Sequence, residues 1–176
     1  MSETLVVNLF GGPGSGKSTT AAGVFFDLKV AGIDAELAAE FAKDLTWEKR
    51  HATLEDQIYV FGKQYHRIYR LLGEVDVVVT DSPFILSCIY DKEKRPELRA
   101  LAMREHNKTR SLNFVIDRKK KYNPKGRNQT EAEAKQVDDV VRRFLAEEAI
   151  NYRVASGLLE GKELIVESIM TTLGKR

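Results

Sequence analysis

The chain has 176 residues, 43% hydrophobic and 31% charged, a balance that describes a globular protein with a sizeable core rather than a disordered one. Its 28 Lys and Arg face 26 Asp and Glu, and the resulting net charge of +2 makes no case for bulk nucleic-acid binding. The one cysteine, Cys88, excludes an intrachain disulfide, no Cys/His spacing suits zinc, and no apolar run approaches the roughly 18 residues of a membrane span. Met1-Ser2-Glu3-Thr4 carries no basic leader, so a cytoplasmic setting away from membranes is expected. A single domain over residues 1–176 is the simplest organisation.

The apolar run Leu5–Phe10 predicts a first strand, and Gly11-Gly12-Pro13-Gly14-Ser15-Gly16-Lys17-Ser18 follows it in the pattern G-x-x-x-x-G-K-[ST]. Helix-compatible sequence then runs over 17–31. Glycines let successive backbone N–H groups turn toward one point, and the helix start adds its positive end, so the loop and Thr19 form an anion-binding nest. Lys17 can reach the β- and γ-phosphates of the nucleotide, and the Ser18 hydroxyl can ligate the accompanying Mg²⁺. The motif in this context predicts binding of a nucleoside triphosphate.

Alternating apolar runs and helical periods predict an α/β fold with a parallel sheet, in which ligands lie beyond the carboxyl ends of the strands. The second strand, within Ile33–Ala38, leads into Glu40-Phe41-Ala42-Lys43-Asp44. Glu40 is therefore a candidate general base, with Asp44 a weaker one; a solvated loop acid is the competing reading. A helix is expected over 53–72, with Thr53 and Asp56 as a capping box, Leu54, Ile58, Phe61, Tyr65, Ile68 and Leu72 as its apolar face and Gly73 as its cap. Gln57, Phe61 and Gln64 share a face that could bind a planar base, unless they are polar surface positions beside a core residue.

The third strand, Val75–Thr80, ends in Asp81-Ser82-Pro83. Asp81 is placed to hold Mg²⁺, directly or through water, or else to cap a helix. Asp76 lies at the other end of that strand and reads as structural. Helices at 83–90 and 96–107 and a strand at Leu112–Ile116 follow, with Cys88 read as a small buried hydrophobe. Six of the ten residues from Arg118 to Arg127 are basic, broken by Pro124 and Gly126. Such a segment can close over phosphates, with Arg118 and Arg127 contacting the transferring group. The same charges would serve a solvated loop or a DNA or RNA backbone. Thr130 and Glu133 form a capping box for a helix over 130–149, and Glu163–Val166 is expected as a last strand. No histidine is marked as half of a nucleophile–base pair.

On Gly11–Ser18, Glu40-Phe41-Ala42-Lys43-Asp44, Asp56-Gln57, Asp81-Ser82-Pro83 and Gly126-Arg127-Asn128-Gln129, the chain resembles the P-loop kinases. It is most similar to their nucleoside- and nucleotide-kinase branch and to small phage-encoded kinase-like ATPases. The resemblance implies a three-layer P-loop NTPase fold, with a five-stranded parallel sheet, a central phosphate-loop strand and an arginine-bearing lid at about 118–129. It also implies a kinase that uses ATP and Mg²⁺ to phosphorylate a hydroxyl on a nucleoside-type acceptor, a free nucleoside or nucleotide among them.

In thymidylate-kinase-like enzymes an acid follows the second strand, which Glu40 matches. An arginine is expected after the acid of the third strand, where this chain has Ser82, and this shifts weight from a monophosphate toward a free hydroxyl. One phage branch phosphorylates 5-hydroxymethyluracil within DNA, which would place the reaction in the host cytoplasm with DNA as partner; nicotinamide-riboside-type kinases are also similar. The alternative is a non-kinase P-loop NTPase, a switch or motor subunit, although the chain's own basic lid favours a kinase. A nucleic-acid-binding module with a disused nucleotide site is a third reading, opposed by the intact Gly16-Lys17-Ser18.

Overall fold

In the computed structural model, residues 4–119, 121–123, 125 and 130–175 are described. Five strands, β1 (Leu5–Phe10), β2 (Ala35–Ala38), β3 (Val77–Thr80), β4 (Arg110–Asp117) and β5 (Arg153–Ser156), form one parallel sheet in the order β2-β3-β1-β4-β5. Strand β1 is buried at every position, as a central strand covered on both faces must be. Its alternation divides the core in two: Leu5, Val7 and Leu9 join one cluster, Val6 and Phe10 the other.

Helices α1 (Lys17–Val30) and α8 (Leu159–Thr172) cover the first face, packing Ala21, Val24, Leu28, Ile165 and Ile169 against it. The second face carries α4 (Gln57–Tyr69), the 3-10 turn Phe84–Leu86, α6 (Pro96–His106) and α7 (Glu131–Glu147), with Phe61, Phe84, Leu98 and Phe144 in its core. Each such side chain, fully buried, contributes about 1.5–3 kcal/mol relative to an exposed one. The short helices α2 (Phe41–Trp47), α3 (His51–Glu55) and α5 (Ser87–Tyr90) lie on the connections between these elements.

Three sequence expectations need correction. Glu163–Val166 is not a strand but part of α8, and the fifth strand is Arg153–Ser156. Only Ala155 of that strand is buried, so it lacks the apolar run that marks an interior strand, while a short run such as Leu164-Ile165-Val166 fits either state. The helix over 53–72 is two helices broken at Asp56, whose side chain accepts the Tyr59 N–H at 3.2 Å; the cap belongs to Asp56 rather than to a Thr53 box. Helix α4 is also rotated from the expected face: Gln57 and Gln64 point inward while Ile58 is 55% exposed. The Thr130–Glu133 capping box is present as read.

Candidate active site

The loop between β1 and α1 is shaped by its glycines. Gly16 is the N-cap of α1 at φ 114°, a left-handed conformation that favours glycine, and no side chain caps that helix. The first N–H groups of α1 therefore combine with those of the loop into a cradle suited to an anion. Lys17 Nζ donates to the carbonyls of Gly11 at 2.7 Å and Gly12 at 3.0 Å, within the same loop. Burial lowers the Lys17 pKa, and the Arg118 guanidinium acts in the same direction; the carboxylates of Glu40, Asp81 and Asp138 oppose it. Lys17 thus lies within electrostatic reach of Glu40, Asp81, Asp138 and Arg118. Ser18 and Thr19 are exposed on the first turn of α1 and, with Pro13, Gly14 and Gly16, line the adjoining cavity.

Sheet register brings the acids there. Asn8 of β1 pairs with Thr80 of β3, which pairs with Ala38 of β2, so the exits of the three strands lie side by side. Asp81 follows at once and is 5% exposed; its Oδ1 is buried and has no hydrogen-bond partner among the described residues. It caps nothing, since the following 3-10 turn starts from Pro83 without a side-chain cap. Glu40 occupies the N-cap position of α2 and lines the cavity. Asp44 instead engages Arg67 at 2.6 Å. Asp76, at the opposite sheet edge, pairs with Lys175 at 3.2 Å. Among the described residues no group of three or more His, Cys, Asp or Glu could cage a metal. One hydroxyl, Ser18, and the orphaned Asp81 oxygen suit Mg²⁺, which takes few protein ligands and shares its shell with phosphates and water.

A cavity of about 810 Å³ begins at the phosphate loop, passes Glu40 and Asp81, and continues between α2, α4 and α5. Trp47, Leu54, Val60, Phe84 and Tyr90 give this outer compartment apolar and aromatic walls. The Tyr90 phenol is pushed above its ordinary pKa by burial, then by the carboxylates of Glu40 and Asp138. Gln57 lines the compartment and donates Nε2 to Leu54 O at 2.8 Å. Gln64 also lines it, but its amide brackets backbone, accepting from Phe41 N at 2.8 Å and donating to Ala39 O at 3.3 Å. Phe61 lies apart from the other two, in the core, stacked on Tyr65 and edge-on to Phe84. Cys88 is half-buried with its thiol pushed up to about 11 by burial, which suits a hydrophobe rather than a nucleophile.

From the other flank, β4 delivers Arg118 to the phosphate loop, its side chain only 9% exposed. Arg127 lies outside the described residues, as do Gly126, Asn128 and Gln129. Asp138, Tyr90 and Trp47 were not singled out by sequence. Nothing in the local pattern separates Asp138 from its neighbour Asp139; only the packing of α7 against the loop does.

A family model described as an AAA domain matches residues 6–162. Among solved structures, that of NadR protein in complex with NR is similar at a TM-score of 0.68 and 17% identity. That match covers 98% of this chain and 52% of the other, so the chain spans about half the length of the protein it resembles, and the likeness is one of fold. No curated protein sequence matches the chain.

Proposed function

The chain belongs to this AAA domain family of P-loop NTPases, and from that premise we propose that it is a kinase that moves the γ-phosphoryl of ATP to a hydroxyl of a nucleoside-type acceptor. The observation that carries the reading is the cavity, which does not end at the phosphate loop but continues past Glu40 and Asp81 into an aromatic-walled compartment. Hydrolysis needs room only for water, whereas phosphoryl transfer needs a second substrate seated in line with the first. Lys43, Lys92 and Lys125 line this cavity, and of these Lys92 pairs with Glu55 at 2.7 Å. Ser82, which lines the cavity where thymidylate-kinase-like enzymes carry an arginine, favours an acceptor without a phosphate. NR, the molecule bound in the similar NadR structure, is consistent with a nucleoside-type acceptor.

In this reading the loop N–H groups and Lys17 hold the β- and γ-phosphates. Ser18 and Asp81 would hold Mg²⁺, which when bound would supply neutralisation of the phosphate charge. Glu40 accepts the proton of the acceptor hydroxyl as its oxygen approaches phosphorus, and Arg118 meets the charge on the transferring group. The walls of the outer compartment exclude water.

The family description favours a second reading, an NTPase that drives a partner. ATP labelled at the γ-phosphate, offered in parallel to NR, common nucleosides, nucleoside monophosphates and hydroxymethylated DNA, separates the two. Label on a nucleoside supports the proposal, and label on DNA relocates the acceptor to a base in a strand. Inorganic phosphate as the only labelled product in every arm would overturn it in favour of the NTPase.

A further inference from the structure

Three hydrogen bonds to one carboxylate tie α7 to the phosphate loop and to Arg118. Asp138 Oδ1 accepts the Gly12 N–H at 2.5 Å, and Oδ2 accepts from Arg118 Nε at 3.1 Å and Nη2 at 3.0 Å. The approach is close because position 12 has no side chain: a Cβ there would lie 2.3 Å from Ala134 O and 2.8 Å from Asp138 Oδ1. Arg118 is thus gripped along one edge of its guanidinium. The remaining nitrogen, Nη1, is buried, has no hydrogen-bond partner among the described residues, and lies 3.3 Å from where Gly14 would carry a Cβ. The Tyr122 ring covers the same spot, its centroid 5.9 Å from the guanidinium carbon and its edge 3.0 Å from that Cβ position.

We propose that Asp138 is a positioning residue of the phosphate site, holding the first half of the loop through Gly12 and aiming Arg118 Nη1 at the phosphates over Gly14. The proposal rests on the reading that a triphosphate occupies this loop. It has a consequence in sign. A carboxylate beside the phosphate loop repels a triphosphate, and its charge is tolerable there because Arg118 neutralises it. Removing Arg118 alone leaves a bare anion facing the ligand, which is worse than removing both charges. The two side chains are in contact, so their effects are expected to be strongly non-additive.

The test is a double-mutant cycle on the full chain, with Mg·ATP affinity read by calorimetry and ATP consumption read as kcat and KM. Asp138→Asn is isosteric: its amide oxygen still accepts from Gly12, but its NH₂ faces Arg118. It should lower kcat by about tenfold or more with KM for ATP changed by less than about threefold. Arg118→Ala should weaken Mg·ATP binding by about tenfold, and adding Asp138→Asn to it should restore at least about threefold. Arg118→Lys, which keeps the charge without the side-on fork, should bind nearly normally and turn over slowly. The amide proton of Gly12 should resonate far downfield in the unmodified chain and in Asp138→Asn, and should move upfield in Asp138→Ala. Additive losses of affinity, or unimpaired kcat in Asp138→Asn, overturn the proposal in a chain that binds ATP. Absence of Mg·ATP binding in the unmodified chain would remove the underlying reading as well.

Discussion

At the scale of single residues, the site places two carboxylates in different surroundings. Asp81 is almost wholly buried with one oxygen unmatched, while Glu40 lines the cavity that runs on from the phosphate loop. A buried orphan oxygen is costly unless a ligand satisfies it, which suits a metal contact. A carboxylate at the boundary between the two halves of the cavity suits proton acceptance. Glu40→Gln should accordingly lower acceptor phosphorylation by roughly 10²–10⁴ with ATP affinity little changed, measured by transfer of the labelled phosphoryl group. Unchanged transfer would take the base role away from Glu40. Asp81→Asn should raise the Mg²⁺ concentration needed for half-maximal turnover, and a metal titration identical to that of the unmodified chain would exclude Asp81 from the metal shell.

Among the elements, α8 shows how closely the helices approach the sheet. It begins three residues after β5 ends, and Gly161 in its first turn sits against the end of that strand. A Cβ at Gly161 would lie 1.8 Å from Ser156 O and 2.6 Å from Ser156 N, with backbone atoms that cannot swing aside. Gly161→Ala should therefore destabilise the fold despite the gain in helix propensity, by roughly 1–3 kcal/mol or more. A chain of this length loses roughly 2–4 °C of Tm per kcal/mol, so thermal unfolding reads the effect directly. A Tm equal to or above that of the parent would mean that α8 can shift away from β5 without cost.

For the whole molecule, the order β2-β3-β1-β4-β5 does the assembling. Parallel strands in register expose their carboxyl ends along one edge, so groups from residues 17, 40, 81 and 118 meet there despite their distance in sequence. A ligand bound at this junction contacts loops from both flanks of β1 and should stabilise the fold by mass action. At 100 times its Kd, Mg·ATP should add about 2.7 kcal/mol, on the order of 5–10 °C in Tm. Lys17→Ala should fold normally and lose most of that shift, because among the described residues the lysine's hydrogen bonds go to carbonyls of its own loop. An equal shift in both proteins would place nucleotide binding elsewhere.

The phosphate loop, the parallel α/β fold and the acids at the strand exits could be read from the chain alone. Each is written in adjacent residues: glycine spacing before Lys17, β-rich runs at Leu5–Phe10 and Val77–Thr80, an acid directly after a strand. Local sequence did not carry β5, whose exposed Arg153 and Val154 hide a strand that exists because β4 pairs with it. It did not carry the rotation of α4 either, because Gln57 and Gln64 turn inward only where backbone carbonyls and amides of other segments are brought within reach. Asp138 is the clearest case. Its partners are the Gly12 N–H, 126 residues away, and the Arg118 guanidinium, and no periodicity or spacing encodes a contact that comes into being when α7 closes over the phosphate loop.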